Sequence, residues 1–305
     1  MSRGVTLLSL ACARADVATV CVLLELGADP GWRRHASGEF SSHQDPFLLC
    51  LHSPRFRCLE DSLPAVSGSA APLADRIEVA RLLVENGARP IPAVVAEAAR
   101  EGSAELLSIF LDATGGTAGA TEALAVVSSK AAVERLISAG ADVLAHAGAG
   151  CTVSATALIS ACRNTTRLLR CPTGTWDLER AEVVVALLAA VAPSTAKSQQ
   201  LPCNRCNRLS APHIALDARD SGHGRTALAW AALNGYAGAV RALLSARADC
   251  ALTDKDGRTA LELALSDQHD YGYYVDRTSP WHVKRMAAVV GAIRCACHGD
   301  SRSMQ

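Results

Sequence analysis

Aromatic residues are scarce: Phe, Tyr and Trp make up 4% of the 305 residues, although half the chain is hydrophobic. The apolar content is mostly Ala, Leu and Val. That vocabulary disfavours a large sheet core and favours closely approaching helices. Net charge is also missing. Thirty basic residues balance thirty acidic ones, which removes the usual electrostatic case for a nucleic-acid or membrane-surface partner. Long apolar runs are absent too. The strongest candidate, AEVVVALLAAVA at 181–192, is shorter than the roughly 18–20 residues needed to span a bilayer. Enzyme signatures are lacking: no G-x-x-x-x-G-K-[ST], H-E-x-x-H, G-x-S-x-G or complete G-x-G-x-x-G occurs. The composition and length therefore point to one large or two ordinary helical domains without catalysis.

What the chain does contain is self-similarity. GRTALAWAALNG begins at Gly224 and GRTALELALSD at Gly257, so Thr226 and Thr259 stand 33 residues apart. Thr226 lies 23 residues before Asp249, and Thr6 the same distance before Asp29, with apolar helical pattern between. Within the copy at 226, Thr226 is placed to cap a helix with its hydroxyl. Leu228, Ala231 and Ala232 make an inward face, and Gly235 allows a left-handed exit. Val240, Leu243 and Leu244 give a second helix its apolar side. Such a pair cannot bury its face alone, so neighbouring pairs must stack.

These segments resemble the ankyrin repeat, whose period is 33 and whose signature is T-P-L-H-x-A. Seven units are expected, at about 1–30, 45–90, 91–118, 119–150, 151–193, 222–250 and 254–295. The resemblance implies an all-α, ankyrin-type helix-turn-helix solenoid with short β-turn fingers. It divides into an N-terminal repeat region at 1–193, a linker or loop at 194–221 and two C-terminal repeats at 222–298. The opening MSRGVTLLSLACA has Arg3, an apolar run and a small-x-small ending, as in a signal peptide. Its residues also read as the first helix of the first unit, which explains them better.

The departures from the family pattern are specific. Its proline survives only at Pro46, and Leu7, Ala157, Ala227 and Ala260 take its place elsewhere. Its histidine is replaced by Ser9, Leu48, Ile159, Ala229 and Glu262. The glycine closing the second helix remains at Gly27, Gly87 and Gly140 but becomes Val191 and Arg247. Insertions are expected at 31–44, 53–74, 164–177 and 266–280, the last three between the first and second helix of a unit. Loops this long inside a compact domain are functional or disordered.

Twelve cysteines do not read as a disulfide framework. Cys12, Cys50 and Cys162 sit in apolar helical runs, as small core residues in a reduced compartment, the cytoplasm or nucleus. Two clusters have metal-ligand spacing: Cys203 and Cys206 in CNRC, with His213 nearby, and Cys295, Cys297 and His298 in CACH. Neither supplies the four ligands of a structural zinc site by itself, so no cofactor is expected. YGYYVD at 271–276 gathers three of the four tyrosines, either as an interface or as a cover for the end of the stack.

The functional expectation is a monomeric, non-catalytic scaffold or adaptor for an unidentified protein partner. The resemblance implies binding by the turn fingers and the concave helix face. The residues it selects are Arg225, Trp230, Leu233, Asn234, Asp254, Lys255 and Arg258. Trp230 fills the variable position of the signature, where either packing or partner contact is open. A substrate-recruiting subunit of a ubiquitin ligase is one alternative. It would need a docking box, and the residues after the last helix are too few for a typical one. A zinc- or redox-responsive binder using the cysteine clusters is the other. The expected outcome is purified protein without stoichiometric zinc; zinc that is present and lost on Cys203→Ser, Cys206→Ser would instead establish the metal reading. Charge reversal at Arg225 and Arg258 is expected to weaken partner capture without loss of helicity.

Overall fold

The computed structural model describes residues 6–30, 45–51, 72–116, 119–145, 155–163, 175–197, 216–266 and 280–299, with backbone alone at 175–176, 192–197, 280–282 and 298–299. Most of each expected insertion, residues 198–215 of the expected linker, and the YGYYVD segment lie outside them. Every regular element among the described residues is a helix, so the all-α class expected from the alanine-rich composition holds. The chain divides into two compact units, Met1–Ala123 and Leu124–Gln305, and the 194–221 stretch falls within the second.

The first unit contains α1 (Leu7–Arg14), α2 (Val17–Glu25), α3 (Pro46–Cys50), α4 (Leu73–Glu85), α5 (Pro92–Glu101) and α6 (Ala104–Thr114). First helices α1, α3 and α5 pack in one row, and second helices α2, α4 and α6 in another. Local chemistry sets their starts. The Thr6 hydroxyl accepts from the Ser9 N–H at 3.0 Å, and the Asp45 carboxylate from the Phe47 N–H at 2.9 Å. Pro46 and Pro92 sit in first turns, where a missing N–H costs nothing. Phe47 and Phe110 close the core edge to face, 5.3 Å between ring centroids.

Helix α3 has only five residues, and its end is completed from elsewhere. Arg76, buried on α4, donates Nε to the Cys50 carbonyl at 2.9 Å and Nη2 to the Leu51 carbonyl at 2.8 Å. Glu101 at the end of α5 pairs with the same guanidinium. A cation on the carbonyl end of a helix is favoured by its dipole, and the carboxylate keeps that buried charge from standing alone. Burial pushes the Glu101 carboxyl above its ordinary range, against the pull of Arg76.

Helix α7 (Ala120–Leu124) spans the division between the units. The second unit holds α8 (Lys130–Ser138), α9 (Ala157–Arg163), α10 (Thr175–Lys197), α11 (Ala227–Leu233), α12 (Ala237–Ser245), α13 (Ala260–Leu265) and α14 (Pro280–Gly299). Again there are two rows: α9, α11 and α13 beside α8, α10, α12 and α14. Helices α4, α10 and α14 begin at Leu73, Thr175 and Pro280, inside the stretches expected as insertions. The cysteines expected in the core are there. Burial raises the Cys50 and Cys162 thiols to about 12, which keeps them protonated.

The second-helix exits follow the glycine pattern with two differences. Gly27, Gly87 and Gly140 have φ of 84°, 89° and 88°. At Val191 no left-handed exit forms and α10 continues to Lys197. At Arg247 the exit does form, with φ 67° on a residue that carries a Cβ, a conformation costing about 1–2 kcal/mol. Arg247→Gly is therefore expected to stabilise the second unit by about 1 kcal/mol after allowing for glycine's greater unfolded freedom. Thermal unfolding checks it, as a rise in Tm of roughly 2–4 °C.

Candidate functional site

Two successive turn fingers stand side by side in the second unit, at residues 217–225 and 249–258. Each is organised by an aspartate. In the first finger, Asp220 Oδ1 accepts from the N–H groups of His223 at 2.6 Å and Gly224 at 2.9 Å. In the second, Asp254 Oδ1 accepts from Asp256 at 3.0 Å and Arg258 at 2.9 Å. Short acidic side chains are suited to this because they can bond backbone a few residues ahead. The fingers are also joined by backbone: the Lys255 N–H donates to the His223 carbonyl at 2.9 Å. An isolated antiparallel bridge, Thr253 with Thr259, closes the base of the second finger. There the Thr259 hydroxyl and the Glu262 carboxylate form a reciprocal capping box on α13.

Below the turns lies a buried polar network. The Trp230 indole N–H donates to Asp220 Oδ2 at 2.6 Å. His223 meets the indole edge to face at 5.4 Å. The Arg225 guanidinium lies over the indole, 4.7 Å from its centroid, in cation–π geometry. Arg225 Nε also donates to Asp254 Oδ2 at 3.3 Å, and Arg258 Nη2 reaches the same oxygen at 3.0 Å. Both side chains of the Arg225–Asp254 pair are 1% exposed. Burial pushes the Asp254 carboxyl up, but the bonds from the Arg258 backbone and side chain and from Arg225 outweigh it and leave it below its ordinary value.

Five of the seven residues selected for the partner face lie inside the protein in this structure. Arg225, Trp230, Leu233, Asn234 and Asp254 are all buried. Arg225 turns inward because Asp254, 29 residues on, compensates its charge. Trp230 turns inward because Asp220 satisfies its indole. Asn234 is held by the preceding pair: its Nδ2 donates to the Cys162 carbonyl at 2.8 Å, at the end of α9. Arg285 on α14 in turn donates to the Asn234 carbonyl at 2.6 Å. Burial lowers Arg285 to about 10, against the opposing effect of Tyr236 and Asp177. Charge reversal at Arg225 would therefore unfold the finger rather than test a surface.

Lys255 and Arg258 remain as expected surface residues. Lys255 is exposed, its Nζ donating to the carbonyls of Ser221 at 2.7 Å and Gly222 at 2.8 Å. Arg258 is half-buried and also pairs with Asp256, whose side chain is 68% exposed. Arg219 and Asp256 are exposed finger residues that the sequence reading missed. The available signal was the turn aspartate: Asp256 lies in the DKDGRT turn at 254–259, and Arg219 directly precedes Asp220 of DSGHGRT at 220–226. Among the described residues no group of three or more His, Cys, Asp or Glu side chains is arranged to hold a metal. Cys203, Cys206 and His213 lie outside those residues, as does the His298 side chain. Cys295 and Cys297 are exposed.

Replacing Asp254 by Asn should cost about 3–5 kcal/mol, since it leaves the buried Arg225 charge without a counter-ion. Because the folded value of Asp254 is depressed, its contribution is present above the ordinary carboxylate value of about 4 and is lost as pH falls through the lower folded value. Denaturant unfolding across acid pH should show this loss in the wild type and not in Asp254→Asn. Trp230→Phe keeps the ring but orphans Asp220 Oδ2, for a loss of about 1–3 kcal/mol in the same measurement.

Residues 185–273 match the family model described as ankyrin repeats, three copies. Among solved structures, the human ASB11 ankyrin repeat domain superposes with a TM-score of 0.53 and 16% identity, over 95% of this chain and 97% of that one. The ankyrin repeat domain of Bcl-3, of the IkappaB protein family, gives 0.49 and 18%, over 96% and 100%. No curated protein sequence matches significantly. Among the described residues no helix is long and apolar enough to cross a membrane. Residues 185–273 are thus similar to ankyrin repeats, and the chain has the ankyrin-repeat fold.

Proposed function

We propose that the chain is a non-catalytic scaffold or adaptor that captures a protein partner on its finger tips. The observation that supports this is the contrast within the fingers. Lys255, Asp256 and Arg219 are exposed, whereas the residues beneath them form a closed network of ion pairs and hydrogen bonds. A surface fixed in advance loses little conformational entropy on binding. The tips carry charges of both signs, which suits a partner of acidic or mixed charge and gives orientation more than raw affinity. The adjoining first-helix surface contributes Glu262, exposed, and Leu265, 59% exposed. A charge pattern rather than a pocket governs recognition in this reading, and the protein acts as a monomer.

The test is a charge swap confined to the tips. Lys255→Glu with Asp256→Lys is expected to lower capture of the native partner by roughly tenfold or more, with unfolding temperature within a few degrees of wild type. Affinity capture from the native cell and calorimetry measure the two quantities. A folded double variant that retains every partner would place the binding surface elsewhere.

A further inference from the structure

Cys250 and Cys297 are far apart in sequence and meet in the fold. Cys250 follows α12 at the start of the second finger, and Cys297 lies in the last turns of α14. Their sulfurs are 2.8 Å apart, which leaves less than about 1 Å to close to the 2.03–2.05 Å of a disulfide. Both backbones are held in place. The Asp249 N–H donates to Asp217 Oδ1 at 3.0 Å, and Asp249 Oδ1 accepts from the Ala251 N–H at 2.9 Å, pinning the chain on either side of Cys250. Cys297 rides on a helix packed against α12 and α13. Cys297 is exposed and Cys250 half-buried, so a small oxidant has access to the pair. Cys295, two residues before Cys297, is also exposed but lies on a different face of the helix.

We propose that Cys250 and Cys297 form a reversible disulfide that fastens the last helix to the start of the second finger, by exchange with a low-molecular-weight disulfide such as oxidised glutathione. The Cys297 thiolate attacks one sulfur of the small disulfide, forming a mixed disulfide and expelling one thiolate. The Cys250 thiolate then attacks Cys297 Sγ and expels the second. The protein loses two electrons and two protons, and one small disulfide becomes two thiols. Burial, and then the hydrogen bond with Cys297, raise the Cys250 thiol to about 11. The more exposed Cys297 is therefore the thiol that attacks first. The loop closed between Cys250 and Cys297 contains the exposed Lys255 and Asp256, α13 and most of α14. The inference does not depend on the identity of any partner.

The experiment equilibrates the purified full chain with mixtures of reduced and oxidised glutathione, blocks free thiols and maps peptides without reduction. Trypsin places Cys250 in ADCALTDK, and Cys295 with Cys297 in CACHGDSR. The expected result is a linked pair of these peptides, at least roughly tenfold more abundant than glutathione adducts of Cys250, because the partner thiol is held at high effective concentration. The link should persist in Cys295→Ser and vanish in Cys297→Ser. Hydrogen exchange along α14 should slow on oxidation in the wild type and stay unchanged in Cys297→Ser. Recovery of Cys250 and Cys297 mainly as separate glutathione adducts would overturn the proposal. So would links from Cys250 to Cys295 as abundant as those to Cys297. Both substituted residues are at least partly exposed, so each variant is expected to fold, and circular dichroism verifies it.

Discussion

The carboxylate of Asp254 is the joint at which two repeats meet. One oxygen gathers the N–H groups of its own finger, and the other holds Arg225 from the preceding finger together with Arg258 from its own. Turn geometry, helix spacing and the placement of the indole all depend on this. If the carboxylate moved, Arg225 would lose its counter-charge and the face of Trp230 its cation. A buried charge pair contributes less to net stability than its contacts suggest, because both partners lose their hydration. Its larger effect is on geometry, since any rearrangement would strand a charge in the interior.

The same constraint appears at the helix ends. First helices here are as short as five residues, so much of their carbonyl end lacks intrahelical partners. Other helices supply donors: Arg76, on the second helix of the same pair, to the end of α3, and from neighbouring pairs Asn234 to the end of α9 and Arg285 to the end of α11. Close approach completes the arrangement. A Cβ on Gly238 would stand 2.7 Å from that of Ala181, so α10 and α12 meet where one side chain is missing. Alanine-rich composition and sparse aromatics follow from this spacing, since large side chains would hold the helices apart.

Local features were legible in the sequence. Thr226 and Thr259 cap their helices as their position before an apolar run indicates. Gly27, Gly87 and Gly140 take the left-handed exits that the repeat pattern assigns. Each depends on residues within a few positions. What could not be read depends on distance. An arginine one place before a cap looks solvated until a carboxylate 29 residues later is known to face it. Trp230 leaves packing and contact both open until Asp220, ten positions earlier, is seen to accept from its indole. Asn234 bonds a carbonyl 72 residues away, and no periodicity announces such a partner.

Arg76 and Arg180 occupy matching places, each about two turns before a fully buried leucine, Leu83 or Leu187. Both stand in units where a long stretch of sequence separates the first helix from the second. Arg76 ties off the Cys50 and Leu51 carbonyls from within the stack. The end of α3 is thus held by a side chain that follows the expected insertion at 53–74, so exchanging that insertion would leave both the donor and the acceptors of this cap in place.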